Sequence, residues 1–169
     1  MLYTSAEANK LLKKLAEEKQ LIEKDEDLKS TFNAATTEDP EKLRPAYSYE
    51  DTTTALDEIN TKIRKIKHAI NVFNTVTEVP EFGMTIDQVL IYLPQLSRRI
   101  AILRQMSTRM SKMRASSIFG AKTGIIDYTY INYDLIKVKK DYQELIALQA
   151  KIQTALDVVN STEKMEIDI

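Results

Sequence analysis

The chain has no cysteine and no tryptophan, only 3 glycines, 4 prolines and a single histidine, and no long apolar run. Each shortage removes a class of protein. Without cysteine there is no disulfide framework, no thiolate metal site and no thiol nucleophile, and a reducing cytoplasm is the expected compartment. No stretch approaches the ~20 apolar residues of a membrane span, and the residues after Met1 lack a basic start leading into an apolar run, so a soluble chain without a secretion signal is expected. So few turn-formers beside 29% charged residues argue against an all-β fold and for long amphipathic helices. At 169 residues the chain fits a single helical domain, 1–169, able to bury roughly 70% of its unfolded surface.

What the chain does contain is a heptad. Between Ser48 and Thr75 the residues Tyr49, Thr52, Leu56, Ile59, Ile63, Ile66, Ile70 and Phe73 alternate at spacings of three and four, with charged residues between them. That is the seam of a long packed helix, which needs partner helices to cover it. A first helix is expected from Thr4, where Thr4 and Glu7 form a capping box, with Ala8, Leu12, Leu15 and Ile22 as its seam and an end between Lys29 and Asn33. Residues 34–47, with two prolines, read as a surface connection holding one short extended piece. A third helix starts at a second box, Thr85 to Gln88, with the seam Val89, Leu93, Leu96, Ile100, Leu103 and Met110, and with a kink or a break at Pro94. A fourth is capped by Asn132 and carries Leu135, Val138, Tyr142, Leu145, Gln149, Ile152, Leu156 and Val159.

Those last eight positions are the seam of the second helix shifted by 86. The first and third helices match at a shift of 81, pairing Thr4 with Thr85, Leu12 with Leu93 and Leu15 with Leu96, though Lys19 against Ile100 does not fit. The expected fold is therefore mainly α, a four-helix antiparallel bundle made of two repeated helical hairpins, about 4–75 and 85–161. The text 116–131, with two glycines ahead of Ile, Tyr and Thr at period two, predicts a short β-hairpin in the second inter-helix loop.

The net charge of −1 hides an asymmetry. Between Asp87 and Asp127 there is no carboxylate but seven cations, Arg98, Arg99, Arg104, Arg109, Lys112, Arg114 and Lys122, which leaves −8 on the remainder. As a continuation of the third helix, this segment puts Arg98 and Lys112 at f and Arg109 at c, a solvated face able to pair with the acidic first helix. The sharper expectation is an anion site, in which Arg109, Lys112, Arg114, Ser116, Ser117 and Lys122 offer guanidinium forks, ammonium groups and hydroxyls to phosphate oxygens. Tyr128 and Tyr130, with Tyr47, Tyr49 and Tyr133, offer rings for stacking a base, or else pack the two loops against the helices.

No constellation supports an enzyme. His68 falls at an outward f position and Lys65, not Glu, stands three residues ahead of it, which excludes a di-iron E-x-x-H pair, and serine–histidine catalysis would have to use this same lone, outward histidine. Gly120-Ala-Lys122-Thr123-Gly124 lacks the spacing of a phosphate-binding loop, and extended text follows where such a loop needs a helix. No cofactor or metal is expected.

Residues 70–75, Met84-Thr85-Ile86-Asp87 and residues 157–163 carry a resemblance. In these helix-end phrases, such as Asn71-x-x-Asn74-Thr75, the chain resembles a family of small helical bacterial proteins, some of which are labelled septicolysin. The resemblance implies a helical fold and supplies no site residue. The label implies a secreted pore-forming protein, for which this sequence has neither a signal nor a membrane-inserting segment.

The functional expectation is a non-enzymatic, cytoplasmic binding protein that self-associates and captures a phosphorylated or nucleotide-like small molecule at the loop end. Seven clustered cations suit a few phosphates but not a long nucleic acid, and no membrane partner is expected. Leu11, Tyr92, Met106 and Met113 give a second apolar edge for a copy of the chain. The alternative is a structural or protein-interaction helical module without a small-molecule ligand.

Overall fold

The capping box at Thr4 forms as its spacing requires: the Glu7 carboxylate accepts from the Thr4 amide at 2.8 Å, and the Thr4 hydroxyl accepts from the Glu7 amide at 3.2 Å. From it runs helix α1 (Ser5–Lys29) in a computed structural model that describes residues 1–115 and 127–169. The chain is mainly helical, with small antiparallel strand pairs. Strand β1 (Leu2–Thr4) precedes α1, followed by the short α2 (Pro40–Leu43), α3 (Tyr49–Val76), β2 (Glu78–Val79), β3 (Met84–Thr85) and α4 (Ile86–Ser107). Then come β4 (Lys112–Arg114), β5 (Tyr128–Tyr130), α5 (Leu135–Thr162) and β6 (Lys164–Glu166). The backbone groups into two compact units, one of Met1–Thr77 with Val158–Ile169 and one of Glu78–Asp157.

In the first unit α1 packs along α3. Buried apolar residues recur at every seventh position, at Ala8 and Leu15 on α1 and at Ile59, Ile66 and Phe73 on α3. Thr52, Leu56, Ile63 and Ile70 between them are half-buried, while Tyr49, at the head of the expected seam, is 67% exposed. A seven-residue repeat keeps one stripe on one face, and this is the stripe the two helices bury against each other. Tyr47, two residues ahead of α3, donates its hydroxyl to Glu26 near the end of α1 at 2.8 Å and so ties the start of one helix to the end of the other. The connection between them holds α2 rather than the extended piece that its prolines suggested: Asp39 caps it and Pro40 takes the first helical position, where a missing amide costs nothing.

The last segment closes this unit. Strand β6 pairs antiparallel with β1 in the register Leu2↔Glu166, Tyr3↔Met165 and Thr4↔Lys164. Met165 and Ile167 are buried at alternate positions, as the period of a strand demands.

The second unit has a ladder of its own. Strands β2 and β3 pair as Glu78↔Thr85 and Val79↔Met84 across a turn in which Glu81 and Gly83 take φ of 71° and 59°. Gln88 then accepts from the Thr85 amide at 2.9 Å and opens α4. Helix α4 continues through Pro94 without a break and buries Val89, Leu96 and Leu103, again seven apart. The expected seam overran the helix: α4 ends at Ser107, and Met110, beyond it, is 72% exposed. On α5 the buried residues are Val138, Ile152, Leu156 and Val159. Gln149, the polar member of its seam, donates to Ser97 Oγ on α4 at 2.7 Å. Asp134, not Asn132, caps α5, its carboxylate accepting from the amides of Ile136 and Lys137 at 2.8 and 3.1 Å.

Candidate functional site

The loop end of the second unit is built from the way α4 stops. Ser107 and Thr108 turn their hydroxyls back onto the carbonyls of Arg104 and Gln105 at 2.8 and 3.0 Å, which satisfies orphan acceptors of the last turn and ends the helix ahead of Arg109. The Met106 carbonyl takes two donors, the Arg109 amide at 3.3 Å and the Tyr133 hydroxyl at 2.8 Å. Tyr133 thereby clamps the entry of α5 to the exit of α4. Between these fixed points β4 and β5 form a hairpin in the register Lys112↔Tyr130, Met113↔Thr129 and Arg114↔Tyr128, extended by Ile131 N–H to Ser111 O at 3.3 Å and Ala115 N–H to Asp127 O at 2.9 Å.

Because side chains alternate across a ladder, Lys112, Arg114, Tyr128 and Tyr130 share one face and Met113 and Thr129 the other. On the first face the Lys112 ammonium lies 4.0 Å from the Tyr128 ring centroid and 5.5 Å from that of Tyr130. The rings are 6.5 Å apart and tilted by 53°. A groove of about 760 Å³ opens at the base of the hairpin. Arg109 supplies its charged group, Asn132, Thr108 and Thr129 its polar ones, Met110, Met113 and Ile131 its apolar wall, and Tyr130 and Tyr133 its rings. No carboxylate lines it.

The expected site residues are thus partly gathered and partly separated. Arg109 and Tyr130 border the groove, whereas Lys112, Arg114 and Tyr128 do not line it. Ser116, Ser117 and Lys122 lie outside the described residues, as do Gly120 and Gly124. Among the described residues no ion pair involves Arg109, Lys112 or Arg114. The f and c positions assigned to Lys112 and Arg109 do not exist, because the helix ends at Ser107. Tyr47 and Tyr133 use their hydroxyls to fix loops, and Tyr49 is exposed. In the sequence Met110, Asn132 and Thr129 read as a seam residue, a helix cap and part of a strand, and none of them as part of a site. The separation of Met113 from Lys112 and Arg114 would have followed from treating residues 112–114 as a strand.

The outward position of His68 holds, since the residue is exposed on α3. No cluster of His, Cys, Asp and Glu able to hold a metal occurs among the described residues, and no helix among them is long and apolar enough to cross a membrane.

By class this is a mainly helical protein with short antiparallel ladders at its helix ends. A crystal structure of a functionally unknown conserved protein from Corynebacterium diphtheriae is similar to it, with a TM-score of 0.59 at 16% identity over 98% of this chain and 100% of that one. The likeness is one of fold. No protein-family profile and no curated protein matches the sequence.

Proposed function

We propose that this chain is a non-enzymatic binding protein that captures a small phosphorylated or nucleotide-like anion at the loop end between α4 and α5. The observation that carries this is the groove of about 760 Å³, bordered by a guanidinium and two tyrosines and by no carboxylate. Its size lies within the range of small-molecule sites, and a guanidinium fork suits a phosphate. Sequestration needs no catalytic group. Thermal-shift measurement against nucleotides and cyclic nucleotides tests the reading: binding raises the melting temperature, and a screen in which no phosphorylated compound does so removes it.

We further infer a four-helix antiparallel bundle of two repeated hairpins, residence in the cytoplasm, self-association, and distant kinship with the small helical bacterial family of which some members are labelled septicolysin. The repeat is supported by the equal lengths of α3 and α5, 28 residues each at a shift of 86, and by ladders whose registers correspond at shifts of 81 and 86.

The second reading is a helical interaction module. Apolar side chains are exposed at positions that correspond under the same shifts, Leu21 with Ile102 and Val72 with Val158, and such exposure suits a protein partner. A flat thermal screen combined with a concentration-dependent mass in sedimentation would favour it.

A further inference from the structure

The number of phosphates a site can take follows from how many cations border it and which way they face. Strand β4 places its two cations, Lys112 and Arg114, on the face of the ladder that carries Tyr130, and although Tyr130 lines the groove neither cation does. The Lys112 ammonium is already engaged with Tyr128 and Tyr130. One guanidinium, that of Arg109, is left at the groove among the described residues. Around it stand thioether and aliphatic walls from Met110, Met113 and Ile131, with the Asn132 amide as a donor and acceptor pair.

Resting on the reading above, we propose that this groove takes a ligand with one phosphate and one planar ring, a nucleoside monophosphate or its cyclic form, and discriminates against di- and triphosphates. Arg109 holds the phosphate through its planar fork. The ring lies against the methionines, whose polarisable sulfur packs favourably on aromatic systems, and Asn132 meets a polar edge of the base. Further phosphates bring charge that has to leave water with no further cation lining the groove among the described residues, so each one weakens binding. Diffuse attraction by the basic segment predicts the reverse order, with affinity rising from mono- to triphosphate and falling steeply with salt.

The test is calorimetric titration of the full chain at physiological salt with the mono-, di- and triphosphates of each common nucleoside, the cyclic monophosphates and inorganic phosphate. The expected result is a monophosphate or cyclic monophosphate bound about tenfold or more tightly than the matching triphosphate. Arg109→Ala should lose tenfold or more with helical content unchanged, while Lys112→Ala/Arg114→Ala changes affinity less than about threefold. If Arg109→Ala does not fold, Arg109→Lys, which keeps the charge and removes the fork, should show the same loss. Affinity that climbs with phosphate number, or that falls as far in Lys112→Ala/Arg114→Ala or in Lys122→Ala as in the Arg109 variant, overturns the one-phosphate groove while leaving anion capture standing. Silence from every nucleotide and from phosphate removes both.

Discussion

The ammonium of Lys112 rests 4.0 Å from the centroid of the Tyr128 ring, directly across the hairpin from Tyr130. A lysine in that position occupies the ring faces that a stacked base would need. Lys112→Ala should therefore uncover both tyrosines at a stability cost below about 1 kcal/mol, as is usual for an exposed cation–π contact. Tyrosine fluorescence quenching by acrylamide reads the change: quenching should increase in the variant, with the helical circular dichroism unaltered.

Ile66 on α3 and Ile152 on α5 are each 0% exposed. Truncating either to alanine removes buried methyl groups and leaves a cavity, so each variant should lose about 2–5 kcal/mol in chemical denaturation. Ile66→Asp should cost roughly 3 kcal/mol or more, since it places an unpaired carboxylate in the core. An unshifted midpoint in either denaturation curve would show that the seam had been assigned to the wrong face.

At Glu7 the hydrogen bonds from the Thr4 amide and hydroxyl, helped by Lys164 and Lys10, hold the carboxyl below the ordinary glutamate pKa. A pKa depressed in the folded state contributes stability above the ordinary value near ~4.3 and loses it as the pH falls through the folded value. Melting temperatures of the native chain and of Glu7→Gln should therefore differ most at neutral pH and converge in acid. The corresponding position at the head of α4 is already Gln88, so Gln88→Glu should introduce the same acid sensitivity there.

Gly83 stands at φ 59°, and nothing lies within 4 Å of where a Cβ would project. Gly83→Ala thus meets no clash and pays only for a left-handed backbone, about 1 kcal/mol. In a chain of this length that lowers the melting temperature by roughly 2–4 °C. A larger drop measured by calorimetry would mean that the turn joining β2 to β3 does more than reverse the chain.

Arg98, exposed on α4, supplies the control for the anion site. Arg109→Glu should abolish nucleotide binding, and Arg98→Glu should leave it within a factor of two apart from a salt-sensitive remainder. Equal losses at the two positions in a titration would mean that the attraction is spread over the basic segment.

The helices were legible because their signals are local. The seam from Thr52 to Phe73, the boxes at Thr4 and Thr85, and the end of α1 after Lys29 all lie within a few turns of the residues that fix them. The ladder of β1 with β6 was not legible, since nothing in Leu2, Tyr3 and Thr4 names a partner at residues 164–166, and strands of two or three residues carry no period. At the candidate site the basic segment was found, but its arrangement was not. Carrying a helical period past Ser107 placed Arg109 and Lys112 on a helix surface, whereas a period of two parts Lys112 and Arg114 from Met113. The cap of α5 moved from Asn132 to Asp134 for a similar reason, because several residues of this stretch can accept amide bonds and only the geometry selects one.

The register of β1 with β6 also sets how the first unit answers a mechanical load. Leu2 faces Glu166 and Thr4 faces Lys164, so residues 1 and 169 leave the ladder at the same end. A force applied between them peels the two strands apart pair by pair, beginning at Met1 and Ile167, which are hydrogen-bonded to each other just outside the ladder, instead of shearing all the cross-strand hydrogen bonds at once. In an optical trap pulling on those two residues, the clasp formed by β6 should part at low force, before the interlocked stripe of α1 and α3 begins to yield.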